Sequence, residues 1–187
     1  MTTSDGDRHT LLSIARRAML AHVTGVPAVS DQTTVATDLS TRRGGAFVTL
    51  HRGGELRGCI GRLDADGPLP EVIAQCAVAA CSADPRFSPV ATAELSAIEI
   101  ELSLLGALEP ITDPTQIEIG RHGLLIEKGR RRGLLLPQVA TEHRWDRLQF
   151  LAQTCRKAGL PNDAWQQGAR LWRFEAEVFG DVAPTSR

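Results

Sequence analysis

Apolar residues recur at the helical spacing of three or four positions in three parts of the chain. Residues 9–23, 69–81 and about 141–158 are therefore predicted to form amphipathic helices. The stripe of the first helix consists of Leu11, Ala15, Ala18 and His22. The stripe of the second consists of Leu69, Val72, Ile73, Cys76, Ala77 and Ala80, and that of the third of Trp145, Leu148, Leu151, Ala152 and Cys155. Residues 24–43 have no such period and predict a long surface loop.

Strand-like alternation of apolar and polar residues occupies the segments between these helices. The predicted strands are residues 44–52, 55–63, 98–105, 122–128, 133–136 and 171–179. On the second strand the alternation places Leu56 and Ile60 in the core. On the third strand it places Glu99, Glu101 and Ser103 on the outside. Hairpin-joined strands with helices between them are typical of the α+β class, so we expect a mainly antiparallel sheet with flanking helices.

Composition and charge restrict the function classes further. The chain has 187 residues, of which 21 are basic and 22 acidic, and the net charge of −1 gives no overall field that would attract nucleic acid or a membrane surface. No signal peptide or membrane span is present, which predicts a cytoplasmic protein. The spacings of the four cysteines and five histidines match no metal site, and no phosphate-binding or dinucleotide-binding glycine motif occurs.

The most informative motif is LRGCIG, residues 56–61, because it combines a cysteine with an arginine and two glycines. On an alternating strand Cys59 shares a face with Arg57, and a guanidinium beside a thiol raises the fraction of reactive thiolate. Gly58 and Gly61 would allow a ligand or another backbone to approach. Cys59 is therefore a candidate nucleophile, although a free cysteine is more often a small core residue. The other three cysteines lie on or beside helical stripes and are predicted to be core residues.

Two further segments carry polar residues where strands and helices meet. Arg86, in the DPRF loop, could bind a carboxylate or phosphate with both arms of its guanidinium. His122 lies at a strand entrance and could act as a base, and Gln138 and Glu142 lie at the turn into the third predicted helix. A turn-capping histidine and a glutamate that only stabilises a helix N-terminus are the structural alternatives.

The chain resembles the AMMECR-type family, known in prokaryotes as AmmeMemoRadiSam system protein A. The segments that carry the resemblance, in order between about residues 9 and 180, are LRGCIG, DPRFSPV, HGLLIEKG, GLLLPQVA and KAGLP with Trp165. The resemblance implies one two-lobed α+β domain over residues 8–180. Residues 1–7 and 181–187 are predicted to be flexible tails. The resemblance also implies genetic association with a Memo-type protein and a radical SAM protein. The motif positions that it transfers are Arg57, Gly58, Cys59, Gly61, Arg86, His122, Gln138, Glu142 and Trp145.

Two hypotheses about function follow. In the first, the protein is an enzyme of unestablished reaction: Cys59 is the nucleophile, His122 and Glu142 transfer protons, and Arg57, Gly58, Gly61, Arg86 and Gln138 hold a small anionic or amide-bearing substrate. In the second, the same residues form a non-catalytic adaptor that binds a small molecule or a Memo-type or radical SAM partner. RNA binding by the basic segment 128–132 is disfavoured by the neutral charge and the 4% aromatic content.

Overall fold

The computed structural model describes residues 3–27, 37–63 and 67–181, which form two compact units. The first unit contains the described residues up to 104 together with 177–181, and the second contains Leu105–Ala176. Residues 28–36 of the predicted loop and nearly all of the predicted tail at 181–187 lie outside the described residues.

The helices are α1 (Asp5–Thr24), α2 (Thr37–Thr41), α3 (Leu69–Ser82), α4 (Pro137–Glu142) and α5 (Arg147–Lys157). The strands are β1 (Ala46–Arg52), β2 (Glu55–Arg62), β3 (Ile98–Leu105), β4 (Glu109–Pro110), β5 (His122–Lys128), β6 (Arg131–Leu135) and β7 (Arg170–Gly180). Short 3₁₀ helices occupy Thr92–Ala97, Pro114–Gln116 and Ala164–Gln166. Strand β7 is shared between the units. Its residues 170–176 belong to the second unit and its residues 177–180 belong to the first.

The sheet of the first unit has the order β2-β1-β3-β7, so that β2 forms its edge. One face of β1 and β2 packs on α3, which in turn packs on α1. Ala46, Val48 and Leu50 are fully buried on this face of β1. The apolar stripe of α3 is buried with them, as predicted. Gly53 and Gly54 both have positive φ, as a two-residue turn between β1 and β2 requires.

The predicted burial of Leu56 is wrong, because β2 contains a bulge. The pairing of β1 with β2 shifts between Leu50 and His51: Leu50 faces Gly58, whereas His51 faces Leu56, which leaves Arg57 as the extra residue. The shift moves Leu56 to the face opposite the helices, where it is 41% exposed. Ile60, beyond the bulge, packs against the core as predicted.

The first helix begins at Asp5, earlier than the predicted His9, so residues 5–7 of the predicted tail form its first turn. The Ser4 side chain caps this turn by accepting a hydrogen bond from the Asp7 N–H. Thr3 is buried, and both its N–H and its hydroxyl donate to the Glu177 carboxylate. These contacts fix the start of the chain to the last strand of the first unit.

In the second unit, β5 lies between β6 and β7, with antiparallel pairing on both sides, and β4 pairs with β7. Helix α5 packs on β5 and β6. Its end approaches β6 so closely that a Cβ on Gly133 would lie 2.4 Å from the Ala158 nitrogen. The pairings in both units confirm the α+β class with a mainly antiparallel sheet.

The predicted continuous helix from about Thr141 to Ala158 is wrong. Helix α4 ends at Glu142, Arg144 adopts a left-handed conformation with φ 54°, and α5 begins at Arg147. Asp146 caps α5 in a reciprocal capping box with Gln149. The break rotates the buried stripe to Phe150, Leu151, Thr154 and Cys155, and leaves Leu148 59% exposed.

Candidate functional site

Cys59 lies on edge strand β2, on the sheet face that points away from α3. Its neighbours Gly58 and Ile60 point to the helices, and its cross-strand partner on β1 is Thr49. The Thr49 hydroxyl donates to the Cys59 sulfur at 3.4 Å. On its other side Thr49 faces Glu101 of β3, so one row across the sheet reads Cys59, Thr49, Glu101. The thiol is half-buried and has a hydroxyl as its direct neighbour.

The DPRF loop closes over the backbone of Cys59 at this sheet edge. The Asp84 carboxylate accepts the Cys59 N–H at 2.8 Å, and the Arg86 guanidinium donates to the Cys59 carbonyl oxygen at 3.4 Å. Asp84 and Arg86 also form a salt bridge of 2.7 Å with each other. Both backbone groups of an edge-strand residue are therefore satisfied by one ion pair, which holds Cys59 in a fixed position.

Asp84 and Arg86 stabilise each other's charge, but their side chains differ in solvent exposure. The Asp84 side chain is 2% exposed, and its hydrogen bonds from Arg86 hold the pKa of the carboxyl group far below its usual range. Hydrogen bonding to Asp84 raises the pKa of Arg86, whose side chain is 51% exposed. The NH1 group of Arg86 has no hydrogen-bond partner in the part of the chain that the structure describes, so it can still donate to a ligand.

Arg57, predicted to act beside the thiol, makes a bidentate salt bridge with Glu94 at 3.0 and 3.1 Å. It also donates to the carbonyl oxygens of Ser88 and Pro89. The hydrogen bonds from Arg57 lower the pKa of Glu94 to about 2, and the Glu94 carboxylate raises the pKa of Arg57. Arg57 thus links β2 to the loop that carries Asp84 and Arg86. Its influence on the thiol stays a prediction.

The spaces beside both glycines of the motif are filled from within the first unit. A Cβ on Gly58 would lie 2.2 Å from the Ala80 carbonyl oxygen, so α3 approaches the strand at this position. A Cβ on Gly61 would lie 2.2 Å from the Phe47 ring, which covers that glycine. The predicted contact of these two glycines with substrate stays a prediction.

The other three cysteines are core residues, as predicted. Cys76, Cys81 and Cys155 are at most 2% exposed, and burial raises the pKa of each thiol. Cys59 alone among the four is half-buried. The structure therefore provides three internal controls for any measurement of Cys59 reactivity.

The remaining predicted site residues, His122, Gln138 and Glu142, belong to the second unit. His122 is 4% exposed, and its Nδ1 accepts a hydrogen bond from the Glu118 N–H at 3.0 Å. Gln138 lies in the first turn of α4, and its Oε1 is buried without a hydrogen-bond partner within the described ranges. Glu142 is exposed at the last residue of α4, so it does not open a helix as predicted.

The pairing of β1 with β2 and β3 identifies residues on the Cys59 face that the sequence did not indicate as functional candidates. Thr49 contacts the thiol, and Glu101 and His51 lie on the same sheet face. Ser103, predicted to point to solvent on this face, is instead fully buried, with a hydroxyl that has no hydrogen-bond partner among the residues described. The only signal in the sequence was the alternation on each strand, which fixes a face but not the neighbour across it.

Neither a metal-binding cluster nor a membrane-spanning helix occurs among the described residues. Within residues 3–27, 37–63 and 67–181, no group of three or more histidine, cysteine, aspartate or glutamate side chains could hold a metal ion. None of the helices in these ranges is both long enough and apolar enough to span a bilayer.

Comparison with known proteins places the chain in a family. The model of the family described as AMMECR1 matches residues 12–179. A protein of Methanothermobacter thermautotrophicus is 42% identical over 186 residues, which cover 94% of this chain and 95% of the relative. A protein of Methanosarcina acetivorans is 39% identical over 180 residues, which cover 92% and 90%.

A solved structure supports the same assignment. The crystal structure of the uncharacterized protein PH0010 from Pyrococcus horikoshii superimposes with a TM-score of 0.89 at 36% sequence identity. The match covers 98% of this chain and 96% of that chain. Because the family model, the relatives and the solved structure each cover most of the sequence, the chain belongs to the AMMECR1 family.

Proposed function

We propose that the protein is an enzyme that uses the Cys59 thiol as a nucleophile on a small anionic substrate. The observation that carries the proposal is the double attachment of the Cys59 backbone to the Asp84–Arg86 ion pair. A nucleophile must be held in a fixed position to gain from orientation. This attachment restrains Cys59 while its side chain stays partly accessible.

The neighbouring groups suit thiol chemistry. The Thr49 hydroxyl, at 3.4 Å from the Cys59 sulfur, would orient the sulfur through its hydrogen bond. Arg86 would hold the substrate through the N–H groups of NH1, which are not used in its salt bridge with Asp84. The thiol proton would pass to a carboxylate. His122 and Glu142, the candidates for proton transfer from the sequence, belong to the second unit, whereas Glu101 belongs to the first unit and faces Thr49 on β1.

Alkylation of the four cysteines at neutral pH, measured site by site by mass spectrometry, tests the proposal. Iodoacetate and iodoacetamide both alkylate a thiol by displacement of iodide and have nearly the same shape, but only iodoacetate is an anion. We expect Cys59 to react and the three buried cysteines to stay protected in the folded protein. If Arg86 binds anions, the ratio of the iodoacetate rate to the iodoacetamide rate should fall by about fivefold in Arg86→Gln, as the loss of one exposed charge contact of about 1 kcal/mol implies.

Two variants control this experiment. Arg86→Lys keeps the charge and should keep most of the anion preference. Arg52→Gln removes an arginine of similar exposure from β1, 53% against 51% for Arg86, and should leave the ratio unchanged. An unreactive Cys59, or the same rate ratio in wild type and Arg86→Gln, would refute the proposal.

The adaptor function is a second candidate because the guanidinium of Arg57 is committed to Glu94, Ser88 and Pro89. In that case the loop that Arg57 holds would present a binding surface. The partners that the family suggests are Memo-type or radical SAM proteins, and the location would be the cytoplasm. A Cys59→Ser chain that fully replaces the wild type in cells would favour the adaptor. Loss of function in Cys59→Ser, with the fold intact, would favour the enzyme.

A further inference from the structure

The second unit contains a polar cavity of about 330 Å³, which lies at the lower end of the range for small-ligand pockets. Its lining includes Gly106, Glu118, Arg121, His122, Arg173 and Glu175. These residues come from β5, β7 and the segments that precede β4 and β5. The cavity is thus formed within one compact unit and includes none of the residues around Cys59.

His122 gives the cavity a hydrogen-bond donor that is unpaired among the described residues and belongs to a largely buried side chain. The residue is 4% exposed and lines the cavity, and its Nδ1 already accepts the Glu118 N–H. Because a neutral imidazole has one acceptor nitrogen and one N–H, this bond assigns the ring proton to Nε2. Nε2 has no hydrogen-bond partner in the described part of the chain. Burial, reinforced by Arg173, lowers the pKa of His122, so the ring stays neutral near pH 7.

The charged residues of the cavity are paired with each other. Arg121 forms salt bridges with Glu118 at 3.2 Å and with Glu175 at 2.8 Å. Arg173 forms one with Glu109 at 2.8 Å and donates to the Gln116 carbonyl oxygen. Three carboxylates therefore surround two guanidinium groups. The small excess of negative charge disfavours a free anion, whereas an uncharged acceptor meets no such penalty.

We propose that this cavity binds a small uncharged ligand of the carboxamide class, whose carbonyl oxygen accepts a hydrogen bond from the His122 Nε2–H. The Nε2 donor would find in the ligand the partner that the described part of the protein does not supply. In this role His122 is a binding residue and not a general base, because its lone pair is occupied by the Glu118 N–H. The site is independent of the proposed chemistry at Cys59.

Nuclear magnetic resonance of the full chain tests the proposal, with acetamide and acetate as probes. The two molecules have nearly the same shape and differ in charge. Long-range ¹⁵N correlation spectra should show the His122 proton on Nε2. Acetamide should shift the Nε2 signal and the backbone amides of Gly106 and Arg121 in a saturable manner, and acetate should bind at least about fivefold more weakly.

Matched substitutions separate the two functions of the ring. His122→Asn retains an acceptor near the position of Nδ1 and lacks a donor at Nε2, so acetamide affinity, measured from the Gly106 and Arg121 amides, should fall by about tenfold. His122→Gln retains a donor near Nε2 and should bind acetamide more tightly than His122→Asn. Cys59→Ser should bind acetamide as the wild type does, which keeps this test separate from the alkylation experiment.

Several results would overturn the proposal. They are a proton on Nδ1 in the wild type, no saturable response to acetamide, stronger binding of acetate than of acetamide, or equal acetamide affinity in wild type and His122→Asn. The first three are measured on the wild-type protein, so they test the proposal even if a substitution prevents folding.

Discussion

Replacing Glu94 with Gln tests the salt bridge between Glu94 and Arg57, the residue that links β2 to the loop carrying Asp84 and Arg86. Glu94 accepts hydrogen bonds from Arg57 at 3.0 and 3.1 Å, from Arg52 at 2.9 Å and from the Ala91 N–H at 2.9 Å. The side chain is 15% exposed, so solvent screens these contacts only in part. A glutamine has nearly the same shape but offers one acceptor oxygen and no charge. The substitution therefore removes the negative charge of Glu94 and with it the ion pairs to Arg57 and Arg52.

The size of the effect follows from the shift in pKa. Arg57 and the Ala91 N–H lower the pKa of Glu94 from 4.5 to about 2 in the folded state. Each pKa unit corresponds to about 1.4 kcal/mol, so ionised Glu94 stabilises the fold by about 3 kcal/mol at pH 7. This stabilisation is complete above the unfolded pKa and is lost as the pH falls through the folded pKa. About 1.4 kcal/mol of it remains at pH 3.

Urea unfolding at pH 7 and pH 3 measures the prediction. The difference in unfolding free energy between wild type and Glu94→Gln should be about 2 kcal/mol larger at pH 7 than at pH 3. All three tryptophans, Trp145, Trp165 and Trp172, lie in the second unit. Tryptophan fluorescence therefore reports the unfolding of the second unit only. Far-ultraviolet circular dichroism is needed to detect the unfolding of the first unit.

Glu55→Gln is the control, because Glu55 is an exposed residue at the start of β2. Its effect on the unfolding free energy should stay within about 0.5 kcal/mol at both pH values. If Glu94→Gln lowers stability equally at pH 7 and pH 3, the carboxylate does not act through its charge and the reasoning is refuted. Equal effects of Glu94→Gln and Glu55→Gln would refute it as well.

Two further predictions concern packing. Gly58→Ala would place a methyl carbon 2.2 Å from the Ala80 carbonyl oxygen, and since that oxygen belongs to the helix backbone, the unfolding free energy in urea should fall by about 3 kcal/mol. The same change at Gly6, where the nearest atom is 4.0 Å away, should leave it unchanged or raise it slightly, and similar losses at both positions would contradict the argument. Leu151→Ala removes a fully buried side chain and should cost about 2–5 kcal/mol in thermal unfolding experiments. Leu148→Ala should cost less than about 1 kcal/mol, and a larger loss there would mean that the buried face of α5 is misassigned.

The elements that the sequence predicts well are those whose signal is local and uninterrupted. Strand β3 has the predicted bounds, 98–105, because its apolar alternation has no break. The stripe of α3 is buried at every predicted position for the same reason. Residues 141–158 show the opposite case, because each residue around the break is compatible with a helix. The capping box of Asp146 and Gln149 was the available signal for a new helix start.

The sequence predicts candidate residues of the site but not the hydrogen bonds that join them. The motifs identify Cys59 and Arg86 as candidates, but the hydrogen bond from the Cys59 N–H to Asp84 joins residues 25 positions apart. Such a contact depends on the edge position of β2 and on the bulge at Arg57. The bulge lies beside Gly58, where the α3 backbone approaches the strand. Alternation on one strand carries no information about such tertiary contacts.

Strand β7 has a consequence for synthesis on the ribosome. The first unit is interrupted in sequence, because its last residues, 177–181, follow the whole of the second unit. Among these residues, Glu177 binds Thr3 and Arg8, and Asp181 hydrogen-bonds the backbone of Ile100 on β3. The second unit is one continuous stretch of chain and can form as soon as it emerges, since domains generally fold as units during synthesis. The first unit, which carries Cys59, must wait with an unpaired β3 edge until the final strand has been made.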